Sequence, residues 1–451
     1  MTSTSPTSTR PTSAGPASTA LLTDHYELTM LQAALRSGAA SRRCIFEVFA
    51  RGLPEGRRYG VVAGTGRLLQ AVLDFRFDDA EIKWLRDHDV VDSPTLEYLS
   101  TYRFTGNISG YAEGECFFPR SPLLMVEGTF AESVVLETVL LSILNHDSAI
   151  ASAASRMTNA AGDRPCIEMG SRRTHEWAAV AAARAAYVAG FATTSNLEAG
   201  RAYGVPTKGT SAHAFTLLHD NERAAFEAQV ASLGVGTTLL VDTYDVTAAV
   251  NLAVDVAGVG LGAVRLDSGD LLVQARQVRA QLDALGANNT RIVVTSDLDE
   301  HSIAALAAAP VDAYGVGTAL VTGSGAPTVG LVYKLVARED EAGLLIDVAK
   351  RSKDKVSIGG RKWAMRRLDA GGVAEAEVIG IGTAPANAGK SSPNPRPLLV
   401  ELMQEGAIVA DLSLDAARRR HELSRAELPP HALKLSRGEP AIPTYFEDQR
   451  R

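Results

Sequence analysis

Between about Thr237 and Leu320 one theme recurs: a short β-branched or aliphatic run, a polar turn carrying Asp or Gly, then an Ala-rich segment with helical spacing. The runs are TTLLV, GAVRL, RIVVT and AYGV. Their C-terminal ends carry DTYD (242–245), DSGD (267–270), SDLDE (296–300) and GVGTAL (315–320). Segments such as LLVQARQVRAQLDALG read as the crossover helices between them. Strands spaced roughly 20 to 30 residues apart suit a parallel sheet, closed or open, and a barrel is the favoured form. In such folds the polar residues at strand C-termini form the site.

The flanks read differently. Upstream, YRFTGNISGYAEGECFFP and PLLMVEGTF alternate like antiparallel strands; downstream, EAEVIGIG and PLLVELMQEGAIVADLSL do so again. The chain is therefore expected to be α/β, with an irregular (β/α) barrel core over residues 126–339. An additional α+β domain is expected from an N-terminal region, 20–125, packing with a C-terminal region, 340–451. The opening MTSTSPTSTRPTSAGPAST (1–19) is rich in Ser, Thr and Pro, lacks the apolar core of a signal peptide, and reads as a disordered tail. The longest apolar stretch, SVVLETVLLSIL from Ser133 to Leu144, carries Glu137 and is too short to span a bilayer, so it reads as a buried helix.

Composition narrows the function. A chain of 451 residues, 46% apolar and 22% charged, can bury a large core in two or three domains. A net charge of −7 gives no electrostatic reason to expect nucleic acid or an anionic membrane as partner, so an anionic ligand must be met by a local cluster of arginines. The three cysteines, Cys44, Cys116 and Cys166, are far apart with no CxxC spacing. That argues against a disulfide framework or a zinc site and fits a reducing cytoplasm.

The segment EMGSRRTHEWAAVAAARAAYVAG (168–190) reads as a Gly-Ser turn, two arginines and an Ala-rich helix closed by Gly190. Arg172 and Arg173 at a helix N-terminus are disfavoured by the dipole unless an anion binds between them; solvated surface charge is the alternative. In TTSNLEAG (193–200), Ser195 and Asn196 serve either a site or simply as N-caps. GTSAHAF (209–215) sets Thr210 and His213 in a loop, where an imidazole is a competent nucleophile near neutral pH, although a lone His is more often a capping or core residue. VRLDSGDL (264–271) places Arg265 inside a strand that should be apolar on both faces, with Asp267 at its end. Arg265 is then a ligand residue or one half of an ion pair. GVGTALVTG (315–323) offers backbone amides and hydroxyls suited to a phosphate. APANAGKSS (384–392) imitates a P-loop ending, but Ala384 replaces the first Gly and Pro393 and Pro395 forbid the helix that must follow, so it reads as a loop.

Taken in order, TDHYELTM, FEVFARGLP, EMGSRR, TTSN, GTSAHAF, VDTYD, RLDSGD, YGVGTALVT and YKLV resemble nicotinate phosphoribosyltransferase, over about Leu21 to Val336. Members of that family join nicotinate to phosphoribosyl pyrophosphate, giving nicotinate mononucleotide and pyrophosphate with coupled ATP hydrolysis, and feed NAD salvage. The resemblance implies that His213 is phosphorylated by ATP. It implies that Tyr26 stacks on the pyridine ring across a homodimer interface, and that Arg265 and Thr210 fix the nicotinate. Arg172 is expected near the carboxylate or the phosphates. Asp267 is expected near the ribose hydroxyls or Mg2+, and Gly317, Thr318 and Thr322 around the ribose 5-phosphate. Relatives that take nicotinamide carry an Asp where Ser195 and Asn196 stand here, which favours a carboxylate substrate. The rivals are another pyridine phosphoribosyltransferase, of nicotinamide or quinolinate type, and a non-catalytic nucleotide-binding barrel; quinolinate-type enzymes are shorter and use no ATP.

Overall fold

The computed structural model describes residues 18–350, 357–384 and 394–447. The tail expectation for residues 1–17 and nearly all of the APANAGKSS loop lie outside them. Ser18 and Thr19 are packed: the Thr19 hydroxyl donates to the Ala71 carbonyl at 2.6 Å and the Thr19 amide to that of Asp74 at 3.1 Å.

The four apolar runs form strands Thr238–Leu240, Ala263–Leu266, Arg291–Val294 and Ala313–Val316, and two shorter strands, Cys166–Glu168 and Thr193–Thr194, complete a six-stranded parallel sheet. The spatial order is 193–194, 166–168, 313–316, 291–294, 263–266, 238–240. Followed round, this is the chain order with one break, between the second strand and the third. Side chains from all six strands, Ile167, Thr193, Thr238, Arg265, Val293 and Ala313, face one common cavity, so the sheet curls into an open barrel. The gap is partly filled by the segment after the helix Leu197–Tyr203. There the Thr194 amide donates to the Pro206 carbonyl and the Lys208 amide to that of Thr194, each at 2.9 Å. This edge pairing carries the GTSAHAF loop onto the C-terminal rim.

The Asp-rich strand ends divide into two kinds of position. Asp245, Asp270 and Asp299 are N-caps, accepting from the amides of Ala248, Val273 and Ser302 at 2.8, 3.2 and 2.7 Å. Each starts the crossover helix that follows. Asp242 and Asp267, three residues earlier in their motifs, remain free to face the rim.

A seven-stranded antiparallel sheet lies outside the barrel, in the order Leu345–Asp347, Leu331–Glu339, Arg43–Ala50, Leu124–Thr129, Asn107–Tyr111, Leu399–Gln404, Ala407–Ile408. It joins N- and C-terminal segments, as the flanking patterns predict. A four-stranded sheet, built from Lys362–Leu368, Ala374–Ile381, Asn394–Pro397 and Thr444–Phe446, adds to it. The Ser133–Leu144 stretch is buried but broken at Val135 and Leu136 into the helices Phe130–Val134, capped by Thr129, and Glu137–Ala161. The long helix buries Leu140 and Leu144 in the core beneath the antiparallel sheet and Ile150, Ala154 and Met157 in the barrel core. One rigid rod thus fixes the two bodies against each other.

Candidate active site

Arg265 enters the barrel interior from its strand with its side chain only 11% exposed. Its Nη1 donates to the Thr210 hydroxyl at 2.8 Å and to the Ser211 carbonyl at 3.0 Å, and its Nη2 lies 3.5 Å from Asp267 Oδ2. This buried cation is ion-paired with Asp267 and lines the cavity. Its Nε is buried without a partner, a donor left over for a ligand.

Asp267 is fixed from several sides. Its Oδ1 accepts from the Thr295 hydroxyl at 2.5 Å, and its amide donates to Asp242 Oδ2 at 2.9 Å. Asp242 Oδ2 also accepts from the Ser268 hydroxyl at 2.7 Å, while its Oδ1 is buried and unpartnered. His213 opens the short helix His213–Leu218, with Nδ1 3.1 Å from the Thr243 hydroxyl and Nε2 3.9 Å from Asp267 Oδ2. Thr210, His213, Arg265 and Asp267 thus come together on one rim. Asp242, Thr243 and Thr295 join them, and nothing in the local sequence distinguishes these from other polar residues at strand ends.

Beneath the rim lies a cavity of about 360 Å3, in the range of small-molecule sites. Its walls are the six strand residues named above, and Lys208, Gly209 and Thr210 lie at its edge. The Thr193 hydroxyl on its wall is buried and unpartnered. A barrel interior of mixed polar and apolar walls, with an arginine fork and hydroxyls, suits a flat ring bearing one anionic group.

The phosphate-turn candidates sit on the same rim. Gly317 follows the strand Ala313–Val316 and precedes the four-residue helix Thr318–Val321. Thr318 is exposed, whereas the Thr322 hydroxyl donates to the Thr318 carbonyl at 2.8 Å and is satisfied locally. The EMGSRR turn packs directly on this one: the Met169 amide donates to the Val316 carbonyl at 2.8 Å, and a Cβ on Gly170 would sit 2.2 Å from Val321 and 3.1 Å from the Gly317 carbonyl oxygen. Glu168, which starts the turn, is fully buried and accepts from the Gly170 amide and the Thr194 hydroxyl; burial pushes its carboxyl pKa up. From below, Arg57 donates to the Gly323 carbonyl at 2.7 Å and to Glu300 at 2.9 Å.

One expectation is corrected. The Ala-rich helix starts at Glu176, capped by His175, not at the Gly-Ser turn. Arg172 and Arg173 lie one turn ahead of it, so the dipole argument for an anion between them fails. What remains is a pair of exposed guanidiniums, with no protein partner among the described residues, on the turn that abuts Gly317. Asn196 is an N-cap, its Oδ1 accepting from the Ala199 amide at 2.9 Å, while its Nδ2 donates to Ser171 at 3.0 Å. Tyr26 is not part of the rim cluster. It is 45% exposed on the helix His25–Ser37, and burial, followed by the nearby Glu137 carboxylate, pushes its phenol up to about 12.

The family model for the nicotinate phosphoribosyltransferase (NAPRTase) N-terminal domain matches residues 21–145. A nicotinate phosphoribosyltransferase of Mycobacterium tuberculosis is 60% identical over 433 residues, covering 94% of each chain. One of Bacillus subtilis is 37% identical over 363 residues, covering 78% of this chain and 74% of its own. The crystal structure of human nicotinic acid phosphoribosyltransferase superposes with a TM-score of 0.79 at 28% identity, over 95% of this chain and 98% of that one. With its rim motifs, its fold and a relative 60% identical over 94% of each chain, the chain belongs to the nicotinate phosphoribosyltransferase family.

Proposed function

We propose that this chain joins nicotinate to phosphoribosyl pyrophosphate, forming nicotinate mononucleotide and pyrophosphate for NAD salvage, and couples ATP hydrolysis to the transfer through phosphorylation of His213. The observation that carries the reading is the buried Arg265 fork, tied to Thr210 and 3.5 Å from Asp267, at the mouth of a cavity large enough for a pyridine ring.

In this reading Arg265, with Thr210, holds the nicotinate carboxylate, so that the pyridine nitrogen faces the ribosyl carbon C1. The nitrogen lone pair forms the new bond to C1 as the bond from C1 to the pyrophosphate oxygen breaks, and its electrons leave on pyrophosphate. Such a centre needs positioning and charge neutralisation more than a strong base. The turn at Gly317 and Thr318 would hold the 5-phosphate, and Arg172, free on the adjoining turn, the anionic groups beside it. Among the described residues no group of three or more His, Cys, Asp or Glu is placed to hold a metal. This fits Mg2+ arriving on substrate phosphates, a cation usually bound by one or two carboxylates and otherwise by phosphate and water. Asp267 and the unpartnered Oδ1 of Asp242 are the carboxylates on hand, and the ion would offset charge on the departing pyrophosphate.

The proposed assembly is a homodimer. Leu22, Tyr26 and Met30, spaced four apart, are all exposed along the N-terminal helix and the turn before it, and Leu197, Leu217, Leu218 and Tyr244 are exposed around the barrel rim. Two copies would cover both surfaces and bring Tyr26 to the partner's site. Sedimentation equilibrium showing only monomer at micromolar concentration would remove this part of the reading.

Pyrophosphate release with nicotinate, phosphoribosyl pyrophosphate and Mg2+, with and without ATP, tests the activity. For the coupling, wild type incubated with γ-labelled ATP is expected to gain acid-labile label that His213→Ala lacks while staying folded. Undiminished labelling of that variant would move the phosphoryl site elsewhere.

A further inference from the structure

His213 is a loosely held residue in a place that demands precision. It follows a stretch, Pro206–Thr210, that is exposed throughout, and it opens a helix of only six residues whose N-cap, Ala212, supplies no side-chain cap. Its side chain is 42% exposed. The carboxylate nearest to it, Asp267, stands at 3.9 Å from Nε2, beyond hydrogen-bond reach. Among the described residues one hydrogen bond defines the ring, that between Nδ1 and the Thr243 hydroxyl at 3.1 Å.

Thr243, by contrast, is anchored on both sides. Immediately before it, Asp242 accepts from the Asp267 amide and the Ser268 hydroxyl, which ties its loop to the loop that bears Asp267. Two residues after it, Asp245 caps the helix Val246–Ala257. The hydroxyl is therefore presented from an anchored turn to a ring that opens a short, uncapped helix, in the way that a supporting group orients a reactive one.

We infer that Thr243 is a positioning residue for His213, holding the imidazole in the plane from which a ring nitrogen reaches the γ-phosphorus of ATP. The inference rests on the phosphohistidine reading above. In the step it serves, the lone pair of a ring nitrogen forms the N–P bond while the bond from the γ-phosphorus to the bridging oxygen breaks and its electron pair leaves on ADP; the ring's other nitrogen keeps its hydrogen until solvent takes it. A correctly aimed nucleophile gains from orientation alone, without any change in its basicity. Because Thr243 acts on the ring and not on the nucleotide, its loss is read in the rate of phosphorylation and not in the affinity for ATP.

The test is single-turnover labelling of the full chain with γ-labelled ATP and Mg2+ in wild type, Thr243→Val, Thr243→Ser and His213→Ala. Valine keeps the shape and removes the hydroxyl; serine restores it. The expected result is a labelling rate constant at least tenfold lower in Thr243→Val, half-saturation by ATP within twofold of wild type, and recovery to within threefold in Thr243→Ser. Labelling of Thr243→Val at the wild-type rate overturns the inference, as does a Thr243→Ser variant as slow as the valine one. Wild type that takes up no label, or His213→Ala that does, overturns instead the phosphohistidine reading beneath it. Thermal midpoints of the four proteins separate a folding defect in Thr243→Val, which serine would not share, from a loss of aim.

Discussion

Replacing Arg265 by lysine keeps the positive charge and removes the fork. The native guanidinium donates to the Thr210 hydroxyl and the Ser211 carbonyl at 2.8 and 3.0 Å, and leaves Nε free inside the barrel. A lysine ammonium reaches the same wall as a single point and cannot meet two loop acceptors and two carboxylate oxygens together. Hydrogen bonds to charged groups contribute about 1.5–3 kcal/mol each. Losing one such bond in the transition state lowers kcat/KM for nicotinate by roughly 10- to 150-fold at 25 °C. The assay is initial rate against nicotinate with phosphoribosyl pyrophosphate, ATP and Mg2+ saturating, repeated with nicotinamide. Wild type is expected to favour the acid by a wide margin, because an amide leaves part of the fork unpaired, and Arg265→Lys is expected to narrow that margin. A soluble Arg265→Lys enzyme within threefold of wild type on nicotinate would refute the placement of the carboxylate. Loss of soluble protein with normal kinetics in the remainder would leave Arg265 as the structural partner of Asp267 alone.

Two other perturbations follow from the packing. Gly170→Ala puts a methyl group 2.2 Å from Val321 and 3.1 Å from the Gly317 carbonyl oxygen, an overpacking worth about 1–3 kcal/mol that must push the two rim turns apart. KM for phosphoribosyl pyrophosphate should rise several-fold with KM for nicotinate little changed; an unchanged thermal midpoint and unchanged KM values would mean that the turns do not cooperate. His421 is buried with Nδ1 donating to the Gly114 carbonyl at 3.3 Å and Nε2 unpartnered, and burial, followed by Arg425, pushes its pKa from 6.5 down to about 4. The unfolded chain takes up this proton near pH 6.5 and the folded chain only near pH 4, so stability is untouched above that window and falls through it, by up to about 3 kcal/mol. Urea midpoints of wild type and His421→Asn at pH 7 and pH 5 check the sign: the advantage of wild type should shrink at pH 5, and an advantage that grows there would contradict it.

The parts of this protein that sequence makes legible are those with a strong local pattern, and those where one residue violates it. Four barrel strands stand out because runs apolar on both faces are rare outside a parallel sheet, and Arg265 stands out because it breaks one of them. The strands Cys166–Glu168 and Thr193–Thr194 are too short to show any period, so two of the barrel's six staves, including the edge that positions the GTSAHAF loop, were hidden. The start of the helix after Arg172 is not legible because its cap is a histidine, His175, which accepts through a ring nitrogen in place of the usual hydroxyl or carboxylate. The Asp-rich strand ends look alike in the sequence. Only the fold separates Asp245, Asp270 and Asp299, spent on capping amides, from Asp242 and Asp267, which are left to the site. The pairing of Arg43–Ala50 with Leu331–Glu339 joins segments almost three hundred residues apart, and Arg43–Ala50 is buried on both faces from Cys44 onward, so no local alternation marks its register. Tyr26 marks the last boundary. The charged groups that act on it within one chain are Glu137, Glu27 and Asp24, none of which belongs to the rim, so a role at the pyridine ring requires a second chain, and that requirement is written in neither the local pattern nor the geometry of one copy.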